Sequence, residues 1–211
     1  DIWATGASVI SAQPIITLPI VSESLQGELL TQVLGGIKSV LGSQNAQIIG
    51  GHTLESRDTS SKNSSIGIQI TLSVNGLVPN NQKVWKKNGL QPNDVLLISR
   101  PLGSGILFAA SMGRKVDPIN LDFAINHLNS SQHVLVEKLF QKQQEQINDH
   151  SIVHACTDIT GFGLLGHLNE MLESSNFTRL KNGLKPLRIR LEAEKIPVYP
   201  GVLELIGKGY S

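Results

Sequence analysis

The 211 residues contain a single cysteine, Cys156, so no disulfide can form within the chain. Aromatic residues make up only 4%, too few for a platform on which single-stranded bases would stack. Charge is sparse and balanced: 18 Lys and Arg stand against 17 Asp and Glu, a net +1. A global field that weak gives no reason to expect nucleic acid or a membrane surface as partner. No apolar run approaches the roughly 18 residues of a membrane-spanning helix. No basic stretch followed by an apolar one opens the chain, as a secretory signal would. Histidines, cysteine and carboxylates never fall at zinc-site spacing. Asn63, Asn129 and Asn176 each begin a glycosylation-type triplet, but without a secretory signal these read as chance. The absences together lead to the expectation of a soluble, cytoplasmic protein.

What is present suffices for a core. Hydrophobic residues make up 40%, and the length suits one large domain or two small ones. The stretch around which the rest is organised runs from Thr157 to Leu168, Thr-Asp-Ile-Thr-Gly-Phe-Gly-Leu-Leu-Gly-His-Leu. It follows the apolar run Ile152–Cys156, which reads as a buried strand. A helical pattern follows it, with Phe162, Leu165, Leu168 and Leu172 on one stripe. Strand, polar turn and glycine-rich helix start present unpaired N–H groups at the positive end of a helix dipole. Phosphate suits such a place, and Asp158 stands where α/β sites usually form. A hard cation takes carboxylate oxygens and completes its shell with waters or phosphates. The structural alternative is a helix capped by Thr160 with glycines for close packing, and the spacing alone leaves both open.

Along the chain, residues 1–12 read as a short helix rich in small residues. Ile15–Val21 reads as a strand at a sheet edge, because of Pro19. Ser24–Leu41 is an amphipathic core helix, with Gly35-Gly36 suggesting a close neighbour. Gln47–Ile49 is a strand leading into Gly50-Gly51-His52-Thr53, where two glycines let backbone amides approach a ligand or simply make a tight turn. Residues 56–65 read as a polar loop, and Ile66–Val74 alternates as a half-buried strand. Turn residues from Pro79 to Gly89 place a domain boundary near Lys83–Pro92. Asp94–Ser99 reads as a fully buried strand, followed by the turn Pro101–Gly105 and a helix over 105–113. Pro118–Glu145 reads as long and helical. Leu187, Ile189 and Leu191 alternate as a strand with one wet face, and 198–206 forms a last short helix. Cys156, in an apolar run, reads as a small hydrophobe rather than a nucleophile.

Four stretches in order resemble the selenophosphate synthetase (selenide, water dikinase) family. They are Asp1-Ile2-Trp3-Ala4-Thr5-Gly6, Ile49-Gly50-Gly51-His52-Thr53, Arg100-Pro101-Leu102-Gly103-Ser104-Gly105, and His154 through Met171. Asn129 occupies a further family position. Thr5, where the family usually carries Met, is a departure, as is a lengthened segment between Met112 and Ser151. The resemblance implies an α+β, two-domain synthetase-like fold. Residues 1–82 would form part of an N-terminal ATP-binding and dimerisation domain, and 83–211 most of an α/β C-terminal domain. It implies Asp1 and Asp158 as metal ligands, Asp1, Gly50, Gly51 and His52 as ATP contacts, and Mg²⁺ and ATP as cofactors. Glu55 stands at a family acid position and reads as structural. The family's reaction makes selenophosphate, AMP and phosphate from ATP, selenide and water. Its reactive Cys or selenocysteine and a nearby Lys are expected upstream of Asp1, so none of the 211 residues is assigned a catalytic role. Neither Asp1 nor Ser211 reads as a natural end, so the chain is expected to be an inactive fragment of a homodimeric parent, in some members fused to a flavoprotein domain. Competing readings are another ATP-using enzyme of the aminoimidazole-ribonucleotide-synthetase-like superfamily, such as the hydrogenase maturation protein or thiamine-phosphate kinase, and a non-catalytic regulatory module.

Overall fold

The structure is a computed structural model that describes residues 1–56, 67–80, 82–145 and 151–210. Most of the polar loop expected over 56–65 lies outside the described residues. Helices and strands mix as an α+β fold, and the chain divides into two units, Asp1–Val84 and Trp85–Ser211.

The first unit is built on one strand, β1 (Ser8–Leu18). The helix expected over residues 1–12 is replaced by a 3-10 turn, Trp3–Thr5, and then by β1. Of the small residues that suggested close helix packing, Ala7 is buried just before the strand, and Val9 and Ala12 are buried along the strand's inner face. A bulge between Val9 and Ser11 shifts the alternation, which is why a period-two reading does not reveal the strand. The strand is also not at an edge. β4 (Gln69–Leu77) pairs antiparallel along one side, while β2 (Gln47–Ile48) and β3 (His52–Glu55) pair parallel on the other.

Helix α1 (Glu23–Gly42) lies beside this sheet, and Leu41 joins Val9, Ala12 and Ala46 in a small core. Trp3 seals that core and donates its indole N–H to Gln44 Oε1 at 2.9 Å. The rest of the α1 stripe is only half-buried. Gly35 and Gly36 have no neighbour within 4 Å of where a Cβ would stand, contrary to the expected close partner.

The second unit gathers α2 (Ser104–Met112), α3 (Pro118–Asn129), α4 (His133–Gln144), α5 (Gly163–Lys181) and α6 (Val202–Gly207). Its core contains Leu107, Ala110, Ala124, Tyr199, Val202 and Leu205. Helix α3 starts where its sequence dictates: Asp117 accepts from Ile119 N at 2.9 Å, and Pro118 occupies the first helical turn. The single long helix expected over 118–145 is broken at Ser130, which is extended, so its backbone cannot continue the α3 ladder. The turn at Gly103 packs against Val202, whose Cγ atoms would lie 2.6 Å from a Cβ there. This close approach gives the glycine a packing role.

Three strand expectations fail in this unit, those over 94–99, 152–156 and 187–191. Among the described residues it contains only an isolated parallel bridge, Leu102 to Val198. Residues 94–99 are not a buried strand: Val95 is 91% exposed and Leu97 70%. Residues 187–191 keep the expected in-and-out alternation of burial but pair with no strand. An apolar run records a tendency to be buried, whereas a strand also needs a partner.

The Tyr199 hydroxyl is buried without a hydrogen-bond partner among the described residues. Its ring meets His127 and Phe123 at 5.8 and 6.4 Å between centroids. Tyr199→Phe removes the unsatisfied group and keeps the ring, so it is expected to raise stability by about 1 kcal/mol. The measurement is the urea midpoint at unchanged slope, and a fall would reveal a partner for the hydroxyl.

Candidate functional site

In the first unit the interesting feature is an interruption. β2 and β3 are consecutive along the same edge of β1, and the chain opens between them at Gly50-Gly51. Ile49 N still donates to Ala12 O at 3.1 Å, and pairing resumes at His52 opposite Ile15. On β1 the residue beside the gap is Pro14, which has no N–H to offer a neighbour. Gly51 has φ +151°, and a Cβ on it would strike the Pro14 carbonyl oxygen. The amides of Gly50 and Gly51 donate to no acceptor among the described residues. A cavity of about 290 Å³ opens here, lined by Gly50, Gly51 and His52 together with Ile16, Leu30 and Leu34. His52 is exposed at its mouth. Backbone donors beside an apolar wall suit a planar, partly polar ligand. Glu55 is tied down structurally, accepting from Gln26 Nε2 at 3.2 Å while that amide also reaches Pro19 O at 2.9 Å. Asp1 is exposed, and its backbone carbonyl accepts from Ala4 N at 3.1 Å.

In the second unit Asp158 is carried on residues 151–158, which form an irregular, largely half-buried segment in place of the buried strand expected over 152–156. Two anchors hold this segment. Cys156 N donates to Lys86 O at 2.9 Å, and His154 Nδ1 meets Asp94 Oδ1 at 2.7 Å. The second oxygen of Asp94 accepts from Gln91 N at 2.8 Å. Gly89, at φ +130°, lets the chain pass against the His154 carbonyl, which any Cβ would strike. Asp158 itself is half-buried, and no hydrogen bond or ion pair engages its carboxylate among the described residues.

The turn after Asp158 differs from the expected cap. Thr160 does not cap α5; Phe162 holds that position without a side-chain bond, and Gly163 N donates to Thr160 O at 2.9 Å. The buried face of α5 is His167, Leu168, Met171 and Ser175. Phe162 and Leu165, expected on the apolar stripe, are 85% and 69% exposed. His167 Nε2 lies 3.1 Å from Thr160 N and accepts from it.

Among the described residues no three His, Cys, Asp or Glu side chains group as a metal cage. The donor set still fits Mg²⁺, which needs only one or two carboxylates when phosphate oxygens and waters fill the other positions. Asp158 is an uncommitted carboxylate of that kind. Burial pushes the Cys156 thiol above its ordinary range and the nearby Asp158 charge adds to this, with the Thr157 backbone bond opposing. Its thiolate is therefore scarce at neutral pH, although the side chain is half-buried rather than buried. The sign follows: the folded chain holds this proton more tightly, so the contribution is complete below the ordinary thiol value and lost as pH rises through the shifted one. Iodoacetamide labelling of Cys156 is expected to be slower than for a free thiol at pH 8 and to rise only at higher pH. Labelling at the free-thiol rate would contradict that.

The His154–Asp94 pair, the Gln26–Glu55 tie and the His167–Thr160 bond had no signature in sequence spacing. Of their residues, Glu55, His154 and His167 lie at or inside the motif stretches, but the spacing does not show what they bond.

Comparison with known proteins gives the class first. Residues 91–182 match the AIR synthase related protein, C-terminal domain. Escherichia coli HypE has the same fold, with TM-score 0.67 at 19% identity over 98% of this chain and 55% of that one. So has the thiamine monophosphate kinase of Aquifex aeolicus, with TM-score 0.66 at 19% identity over 99% and 60%. Residues 91–182 thus form an AIR synthase-related C-terminal domain. Within that class the chain's curated relatives are selenide, water dikinases, as the four motifs suggested. That of Caldanaerobacter subterraneus subsp. tengcongensis is 32% identical over 209 residues, covering 99% of this chain and 51% of the relative. The chain spans about half the length of the curated relatives it matches. No helix of the described residues is long and apolar enough to cross a membrane.

Proposed function

We propose that the protein carrying this chain uses ATP and water to phosphorylate selenide: one phosphoryl group passes to selenide and the other to water, giving selenophosphate, AMP and phosphate. The observation that carries the reading is the uncommitted Asp158 carboxylate, which lies inside the Thr157–His167 run that resembles the selenide, water dikinase signature. Asp158 would hold Mg²⁺, and Asp1, in the other unit, is assigned separately as a ligand of metal and ATP. Gly50 and Gly51 offer their free amides to the nucleotide, and His52 contacts it at the mouth of the cavity. Bound Mg²⁺ supplies neutralisation of the charge that develops on the transferring phosphoryl oxygens. The residues of this chain bind and orient; the Cys or selenocysteine and the Lys that handle selenium are assigned outside these 211 residues. The isolated chain is accordingly inactive in this reading, and the parent is a cytoplasmic homodimer.

The shared fold also suits another ATP-using synthetase or kinase of the superfamily. The motif run and the names of the curated relatives favour the selenium chemistry. The test is isothermal titration of the full-length protein with ATP, with and without Mg²⁺, followed by phosphorus NMR of a reaction containing selenide. Mg²⁺-dependent binding and a selenophosphate signal are the expected results. Binding without selenide-dependent AMP formation would shift the assignment to a different acceptor, and no binding would end the reading.

A further inference from the structure

The His167 ring is buried among polar contacts that the proposed chemistry leaves unused. Its side chain is 8% exposed, and it bonds the turn after Asp158 at the Thr160 amide. Nε2 stands 3.1 Å from both the amide and the hydroxyl of Thr160. With the amide donating, Nε2 must present its lone pair, so the neutral ring carries its proton on Nδ1. That Nδ1 is buried and finds no partner among the described residues. The nearest carboxylate oxygen, Glu170 Oε2, is 3.9 Å away, and both Glu170 oxygens are held by Lys87 Nζ at 2.8 Å. Phe162 covers another side of the ring, with centroids 6.1 Å apart. A histidine kept buried with one nitrogen unsatisfied is costly, since an unpaired buried polar group loses its hydration. A leucine would fill a similar volume without that cost.

We infer that His167 is a positioning residue: it holds the Thr160 amide and so fixes the turn that presents the Asp158 carboxylate to a magnesium-bound nucleotide. The assignment rests on the proposed function for its ligand but not for its geometry. Helix α5 has no side-chain cap of its own, so among the described residues the only side chain tying its first turns back to the preceding loop amide is His167, one full turn inside. Thr160 lies two residues from Asp158, and the intervening backbone has few other restraints: Thr157 Oγ1 donates to Asp158 O at 3.2 Å, and Gly163 N to Thr160 O. Releasing the Thr160 amide frees the turn and, with it, the direction of the carboxylate.

Three substitutions separate this role from packing. In His167→Gln the side-chain oxygen reaches the place of Nε2. In His167→Asn the amide reaches only as far as Nδ1, and in His167→Leu no acceptor remains. The readouts are hydrogen exchange at the Thr160 amide and Mg²⁺–ATP affinity by titration, both in the full-length protein. Gln is expected to keep the Thr160 amide protected and the affinity within about threefold of wild type, whereas Asn and Leu lose about tenfold in both. If Gln loses as much as Leu, or if Leu leaves Thr160 protected, the assignment is overturned. Should the wild-type protein take up no Mg²⁺–ATP, the proposed function fails separately. Thr160 exchange then decides on His167 alone: fast exchange in the wild type, or equal protection in all four proteins, overturns it.

Discussion

Asp158→Asn in the full-length protein is expected to weaken Mg²⁺-dependent ATP binding by about a hundredfold, ~2.7 kcal/mol at the usual conversion, while leaving the fold intact. The substitution is nearly isosteric and removes one negative charge. Because the Asp158 carboxylate makes no hydrogen bond or ion pair among the described residues, its loss strands no partner. Stability should therefore move little, within about 0.5 kcal/mol. A metal ligand differs from a structural carboxylate in this respect: the structural one takes stability with it when removed. Any residual ATP binding measured without Mg²⁺ should be the same in variant and wild type. The Cys156 thiol gives a second readout in the same protein. Burial is its main upward influence and the Asp158 charge the lesser one, so Asp158→Asn should quicken its labelling modestly. A collapse of the thermal transition would instead point to a structural role for Asp158, and unchanged Mg²⁺-dependent affinity would remove it from the site.

Gly51→Ala is expected to cost the first unit about 2–3 kcal/mol and to weaken nucleotide binding with it. Gly51 sits at φ +151°, and a Cβ would strike the Pro14 carbonyl on the central strand. The relief available is movement of β1 or of the β2–β3 edge, and either alters the gap where the two free amides stand. Gly35→Ala, in the same unit, provides the contrast. It lies inside α1 with nothing within 4 Å of the new Cβ, so it should stabilise by about 0.5–1 kcal/mol through helix propensity. Denaturant midpoints of the two variants moving in opposite directions would support the strained-gap account. Both moving together would mean that chain entropy alone governs these glycines.

Several elements were legible because their signals are local. The leucine stripe of α1 repeats at helical spacing, and α1 runs from Glu23 to Gly42, close to the 24–41 expected. The alternation before Val74 is part of β4, although the strand extends on to Leu77. The turn at Pro101–Gly105 opens α2 at Ser104. What was illegible depends on distant partners. β1 looks like a helix followed by an edge strand until β2, β3 and β4 are known to flank it, since a bulge and Pro14 disguise its period. Asp94–Ser99 has the composition of a buried strand but no described strand to pair with. Of the stripe expected on α5, Leu168 is buried while Phe162 and Leu165 are exposed, and His167, Met171 and Ser175 complete the buried face, His167 accepting from a backbone amide there. Hydrophobicity alone could not anticipate a buried histidine there.

The candidate site divides along the same line. Gly50-Gly51 and Asp158 stood out as a glycine pair after a strand and a carboxylate before a glycine-rich helix. The reasons they are available could not be read from residues alone: a proline opposite a gap in the ladder, amides with no acceptor, and a carboxylate with no partner. Those are properties of the pairing, and the pairing is set by the whole sheet and by the anchors at His154 and Cys156.

The account stands most directly on Asp158 holding the metal of a metal–nucleotide complex. Mn²⁺ in place of Mg²⁺ broadens the NMR signals of nearby nuclei, so the full-length protein can be titrated with Mn²⁺–ATP while the amides of Ile159 and Thr160 are observed. Strong broadening of both at substoichiometric Mn²⁺–ATP, lost in Asp158→Asn, is the result expected. Sharp Ile159 and Thr160 signals under conditions where the wild-type protein demonstrably binds Mn²⁺–ATP would contradict it.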